Sequence, residues 1–259
     1  MKNKVIALKK RMLEASYRSQ QGFLASSFSI LDIMVALYYE VMDSKWDCFV
    51  LSKGHAVFAL YTIFEDLGIL EKNELETFGD YKSRLPLMAE RGSVPGVEFS
   101  TGSLGHGLPE AIGVAYAKKI KKVPGRVYVL VGDGEINEGT NWEAISIASK
   151  LGLDNLILIV DNNISTDNMF YSNGLRRQLK DFGWEVEQIN GHEVQLLTEV
   201  LAQKKNVPMA IIADTIKGKG CRSMEENPSL WHSKVPSLAE YHMLVEELGN
   251  GKIMNERNP

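Results

Sequence analysis

GDGEINEGTNWEAISIASKLGLDNLILIVDNN, residues 132–163, follows the apolar run RVYVLV at 126–131, and the order of these pieces decides the fold. An apolar strand ends in Gly132-Asp133-Gly134, a helical segment crosses back, and a second apolar strand closes in Asp161-Asn162-Asn163. This is one βαβ unit, and parallel strands joined in this way open their carboxyl ends on a common crevice where ligands bind. Gly132 and Gly134 permit a tight turn and bring bare backbone N–H groups to a helix start, which suits a phosphate. Asp133 between them would repel that phosphate. The conflict disappears if a divalent cation lies between carboxylate and phosphates, with Asn163 supplying a neutral oxygen from the neighbouring strand end. Such an all-oxygen set suits Mg2+ or Ca2+ better than zinc. Gly-Asp-Gly by itself also describes an ordinary turn; the Asn162-Asn163 pair at the next strand end is what favours the ligand site.

Working outward, strands are expected at 46–51, 184–189 and 208–213 in addition to the central pair. Helices are expected at 4–20, 29–41, after His55 through Tyr61 and Phe64, and at 109–120, 174–182, 194–202 and 237–248. Alternation of strands and helices with short connections gives an α/β fold: a doubly wound, mainly parallel sheet covered by helices on both faces. Residues 1–250 are expected to form one domain and 251–259 a polar tail. Gln21 to Ser27 reads as a loop, and 71–94 as a long polar surface segment near the site entrance. The helix at 109–120 carries small residues, Ala111, Gly113, Ala115 and Ala117, which suit close packing against a neighbour.

Composition excludes several classes. The chain has 259 residues, 44% hydrophobic and 24% charged, with a net charge of −4, as in a soluble globular protein. Its basic residues are dispersed, so no electrostatic footprint for nucleic acid is present; Lys118, Lys119, Lys121 and Lys122 read as a solvated helix end. Apolar runs fall short of a membrane span, and the basic amino terminus has no secretory core, so no membrane is expected and the location expected is cytoplasmic. Cys48 and Cys221 match no metal spacing and read as reduced structural thiols. His192, in the turn Asn190-Gly191-His192, reads as a structural cap.

Gly-Asp-Gly, followed by Glu138-Gly139 and then Asn163, resembles the thiamine-diphosphate motif of the transketolase family. Three more stretches agree in order: LSKGH (51–55), PGVEFSTGSLGHG (95–107) and KGKGCRSMEENPSLWH (217–232). The resemblance implies the diphosphate-binding, amino-terminal half of a transketolase, with thiamine diphosphate and Mg2+ (or Ca2+) as cofactors. It implies Asp133, Asn163 and the carbonyl of Ser165 as metal ligands; a one-residue deletion placed earlier in the loop would make the carbonyl that of Ile164. For the cofactor it implies His55 and His232 at the diphosphate, the turn residues Gly132, Gly134 and Glu135 beside it, and Gly102 and Leu104 against the rings. His55, Glu138 and Glu143 form the implied catalytic set, Glu138 lying where two chains meet and Glu143 in the same buried acid chain.

The proton transfer at the thiazolium carbon needs a glutamate that this family supplies from a pyrimidine-binding domain. The chain ends where that domain should begin. The resemblance therefore implies a separate partner subunit carrying it, an α2β2 assembly, and two-carbon ketol transfer between sugar (phosphate) substrates. Two departures bear on specificity. Phe23 stands where the family has a histidine facing the reacting carbons, and Leu87-Met88-Ala89-Glu90 lacks the family's second histidine. A modified or deoxygenated sugar is one explanation; compensation by Leu24 or by the partner is the other. His106, where the family often has glutamine, is assigned no role. Three rival readings remain. A nicotinamide dehydrogenase needs G-x-G-x-x-G, whereas here Gly132-x-Gly134 is followed only by Gly139. A 2-oxo-acid dehydrogenase α-type subunit shares GDG and the terminal Asn, and a non-catalytic cofactor-binding subunit would keep the fold alone.

Overall fold

The computed structural model describes residues 1–163 and 174–249. Five strands form one parallel sheet: β1 (Cys48–Leu51), β2 (Val127–Gly132), β3 (Leu156–Asn162), β4 (Glu185–Asn190) and β5 (Met209–Asp214), in the spatial order β1-β2-β3-β5-β4. The three inner strands are almost wholly apolar up to their carboxyl ends, rich in Val, Ile, Leu and Ala with Tyr128 and Met209, because both faces of the sheet are covered. Alternate residues divide between two cores. Tyr128, Leu130, Ile157, Ile159 and Ile211 face one side, where α1 (Lys2–Ser19), α2 (Leu24–Ala36), α3 (Val57–Asp66), α7 (Val194–Leu201) and α9 (Leu238–Gly249) pack. Val127, Val129, Val131, Leu158 and Val160 face the other, under α4 (Gly107–Lys121), α5 (Gly139–Lys150) and α6 (Leu175–Asp181). A short α8 (Arg222–Glu226) follows β5. In register, Gly132 of β2 lies beside Asp161 of β3, and Asn162 beside Asp214 of β5. All carboxyl ends therefore open on one edge, as the sequence requires.

The expected elements form, with informative differences. The helix expected from residue 29 begins at Leu24, so most of the expected Gln21–Ser27 loop is helical; every residue of α2 is buried, and burial of Leu24, Ala25 and Phe28 favours the extra turn. The stretch Leu24–Val41 has the length and apolar character of a membrane span, contrary to the sequence reading, but 78% of it is buried within the protein, as in a core helix. Trp46, expected in β1, sits in the preceding turn and is 37% exposed. Segment 71–94 is not simply surface: Leu75, Phe78 and Leu85 are fully buried, and Phe78 stacks on Phe58 of α3 at 4.5 Å.

The small residues of α4 do not share a face, since Ala111 and Ala115 pack on the sheet while Gly113 and Ala117 point outward. Lys118 and Lys119 are more than a solvated end. Lys118 donates to the carbonyl of Trp46 at 2.6 Å and Lys119 to that of Gly152, tying α4 to two loops. Both cysteines are free thiols, and burial pushes the Cys221 thiol up to about 12. His192 is the cap its turn suggested: it accepts from the Ile216 N–H at 2.8 Å and bonds Asp32 of α2 at 2.9 Å.

Ile159, fully buried at the centre of β3, tests this packing. Ile159→Ala is expected to lower the unfolding free energy by about 2–5 kcal/mol, whereas Glu185→Ala on exposed edge backbone should stay within about 0.5 kcal/mol of the parent. Urea denaturation measures both.

Candidate active site

Asp161, at the end of β3, is fully buried and anchors the crevice. Its Oδ2 accepts from Lys53 Nζ at 2.5 Å, Ser29 Oγ at 2.8 Å and Asn163 Nδ2 at 2.7 Å; its Oδ1 accepts from Thr215 Oγ1 at 2.5 Å. One carboxylate thus joins α2, the end of β1, the end of β3 and the end of β5. Burial would raise its pKa, but the charge and hydrogen bond of Lys53, with Thr215 and Ser29, hold it below the ordinary carboxylate range.

Asn163 spends its NH2 on Asp161, and its Oδ1 is buried with no hydrogen-bond partner among the described residues. Native structures rarely leave such an acceptor unsatisfied, so it marks a place for a ligand. Asp133 lies at the adjacent strand end, buried, its N–H donating to the Asp161 carbonyl at 3.1 Å and its Oδ1 accepting from the Gly134 N–H at 2.9 Å. Among the described residues no three His, Cys, Asp or Glu side chains converge. A cation here would instead meet one carboxylate, one amide oxygen and oxygens from elsewhere. That donor set fits Mg2+ or Ca2+.

Around this pair stand His55, His232, Phe23 and Lys217. The rings of Phe23 and His55 lie 5.7 Å apart, those of Phe23 and His232 also 5.7 Å, and the two imidazoles 6.0 Å. Lys217 Nζ lies 2.8 Å from His232 Nδ1. An ammonium can only donate, so Nδ1 accepts and the neutral ring carries its proton on Nε2, free to donate. Burial, then Lys53, His232 and Lys217, push His55 down to about 3. Burial, Lys217 and Lys53 likewise lower His232. Both rings are therefore neutral donors at physiological pH. Lys217 is itself lowered by burial and by Lys53, and feels Asp133 and Asp161 as attractive charges.

A second buried carboxylate holds the loop at 101–107. Glu135 is 3% exposed and accepts at Oε1 from Ser52 Oγ and from the Gly105 N–H at 3.0 Å, and at Oε2 from the Gly132 N–H at 3.0 Å. Thr101 Oγ1 donates to the Leu51 carbonyl at 2.7 Å, and Thr140 Oγ1 to that of Gly105 at 2.7 Å. Two glycines make this possible. A Cβ on Gly107 would sit 2.5 Å from Ser52, and one on Gly105, whose φ is +87°, would sit 2.6 Å from Glu138 Cβ. The loop holds Leu104 38% exposed, facing outward, and Gly102 against Met88.

The structure thus brings together His55, His232, Asp133, Asn163 and the Gly132-Asp133-Gly134 turn at one crevice. Glu135 departs from its expected role: its side chain is consumed within the chain and positions the turn rather than facing a cofactor. Glu138 and Glu143 are exposed in the single chain, not in a buried acid chain. Ser165 and Ile164 lie outside the described residues. Sequence reasoning missed Asp161, Lys53, Ser52 and Lys217 as site-building residues. Lys53 lies within LSKGH and Lys217 within KGKG, so their motifs were visible, but only the sheet order brings them to Asp161.

The family model described as "Transketolase, thiamine diphosphate binding domain" matches residues 6–234. One apulose-4-phosphate transketolase subunit, from Phocaeicola vulgatus, is 34% identical over 271 residues, covering 96% of this chain and 95% of that protein. Human transketolase is 36% identical over 253 residues, covering 91% of this chain but 40% of the human one. The transketolase structure from Campylobacter jejuni superposes with a TM-score of 0.83 at 31% identity, over 96% of this chain and 42% of that chain.

The neutral histidines have a thermodynamic consequence. The unfolded chain takes up protons on His55 and His232 below about pH 6.5, whereas in the folded chain both are held lower, His55 down to about 3, so their contribution to stability is present above the unfolded value and lost as pH falls. The urea midpoint should drop between about pH 7 and about pH 5, and drop less in His55→Gln. An equal drop in both would show that His55 is not held neutral.

Proposed function

The chain belongs to the transketolase family, and we propose that it is the diphosphate- and metal-binding subunit of a two-subunit enzyme. In this reading it transfers a two-carbon ketol unit between sugar phosphates, at least one of them modified or deoxygenated. The observation that carries the reading is the buried Asn163 Oδ1, without a hydrogen-bond partner among the described residues, at the strand end next to that of Asp133, whose charge Lys217 feels. Lys53 and Lys217 are balanced by Asp161 and Asp133, so a diphosphate would meet no net positive charge from these four side chains. Asp133 and Asn163 would hold a divalent cation, which would supply the missing positive charge.

When bound, thiamine diphosphate supplies the electron sink that allows a carbon–carbon bond beside a carbonyl to be broken and remade. This chain's residues bind and orient. His55 and His232 donate to phosphate oxygens, with Lys217 fixing the His232 tautomer. The N–H groups of Gly132, Asp133 and Gly134 are spent on Glu135, the Asp161 carbonyl and Asp133 Oδ1 and shape the turn, and Leu104 offers an apolar contact to a ring. Phe23 presents carbon to the reacting end, and a substrate hydroxyl buried there would lack a partner at a cost of about 1–3 kcal/mol. That favours a sugar without, or with an altered, hydroxyl at this position, and a relative named for apulose 4-phosphate is consistent with it.

A separate partner subunit carrying the pyrimidine-binding domain completes the site in this proposal, supported by a relative of nearly equal span whose own name makes it one subunit of a transketolase. An α2β2 assembly is supported by the outer faces of α4 and α5, which expose Tyr116, Ile120 and Ile147 as well as Glu138 and Glu143. The free thiols favour a reducing, cytoplasmic location.

Coupled steady-state assays test the proposal. The chain with its partner should transfer ketol units and the chain alone should not; turnover by the chain alone would overturn the two-subunit reading. Modified or deoxygenated sugar phosphates should exceed xylulose 5-phosphate with ribose 5-phosphate in kcat/KM by about tenfold or more, the worth of one unpaired hydroxyl. Phe23→His should narrow that gap. Equal turnover of the ordinary pair would remove the modified-sugar reading.

A further inference from the structure

We infer that Asp161 is the positioning residue that orients the Asn163 amide, taking its NH2 so that its oxygen faces the metal pocket; this rests on the metal-binding reading above. The two ends of an asparagine amide have nearly the same shape, but only the oxygen can ligate a cation, and a free amide could present either end. An ionised carboxylate can only accept. With Asn163 Nδ2 at 2.7 Å from Asp161 Oδ2, the amide oxygen is turned away from Asp161, where it is buried and unbonded among the described residues. A flipped amide would set two acceptors face to face in the interior and offer NH2 groups to the cation.

In this arrangement Asp161, within β3 itself, is not the metal ligand. Its two oxygens already take four donors, from Ser29, Lys53, Asn163 and Thr215, about the number a carboxylate can accept. Lys53, 2% exposed, balances its charge inside the protein. Asp161 is thus spent inward, as the carboxylate partners of metal-bound side chains commonly are. Asp133, on the neighbouring strand end, supplies the carboxylate for the metal.

The test uses Mn2+ binding to the full chain in the presence of millimolar thiamine diphosphate, read by electron paramagnetic resonance, with circular dichroism and melting temperature recorded for each variant. Asp161→Asn should weaken Mn2+ binding by about 10–100-fold. Asn163→Asp should also weaken it, although it adds a negative charge to a cation site, because residue 163 then has no NH2 to give Asp161. The double variant Asp161→Asn with Asn163→Asp restores one donor facing one acceptor and should recover most of the lost affinity. A folded double variant no tighter than the weaker single would overturn the inference. Should Asp161→Asn fail to fold, Asn163→Asp decides alone: binding equal to or tighter than the parent overturns it. A parent chain without thiamine-diphosphate-dependent Mn2+ binding would remove the metal-site reading itself, an outcome distinct from a binding parent whose variants show no loss and no rescue.

Discussion

A buried ionic contact, Lys53 to Asp161 at 2.5 Å with both side chains almost fully enclosed, is the constraint on which the site depends. Burying two charges costs several kcal/mol each unless the pair is close and the remaining lone pairs are filled. Here they are filled by Ser29, Thr215 and Asn163. Removing any one element would leave a charge or an acceptor unpaired in the interior, which is more costly than the bond itself is worth. The network therefore specifies one arrangement of α2, β1, β3 and β5 rather than merely adding to stability.

Glu135 makes a comparable fixture on the other side of the Gly-Asp-Gly turn. It ties the turn to Ser52 and to the loop at Gly105. Between the two inward-facing carboxylates stands Asp133, at the strand end next to that of Asn163. Of the three acids near one crevice, Glu135 and Asp161 build it, and in the proposed reading Asp133 is the one that binds. The aromatic and imidazole rings of Phe23, His55 and His232 close the opposite wall, and mutual packing with Lys217 fixes the histidines as neutral donors. Rigid placement of this kind leaves little reorganisation to be made when an anion arrives.

Much of this was legible in the sequence. The apolar runs at 126–131 and 156–160 read as parallel strands of one βαβ unit, and Gly132-Asp133-Gly134 with Asn163 could be placed at their shared edge without coordinates. What could not be read was direction. Glu135 and Asp161 are acids beside the motif, and nothing local says that Glu135 turns toward Ser52 or that Asp161 meets a lysine from β1. Those facts follow from the strand order β1-β2-β3-β5-β4, which local patterning does not encode. The extra turn at Leu24 and the burial of Phe78 were missed for the same reason: tertiary packing overrode the polarity of the neighbouring residues.

The central claim is that Asp133 and the Asn163 oxygen share one divalent ion. A crystal grown with thiamine diphosphate and Mn2+, with diffraction collected at the manganese edge, tests it most directly. The account predicts one anomalous peak within about 2.2 Å of both Asp133 and Asn163 Oδ1, bridged to the cofactor's phosphates. Cofactor bound in the crevice with no ion at those two residues, or an ion held by other side chains, would contradict it.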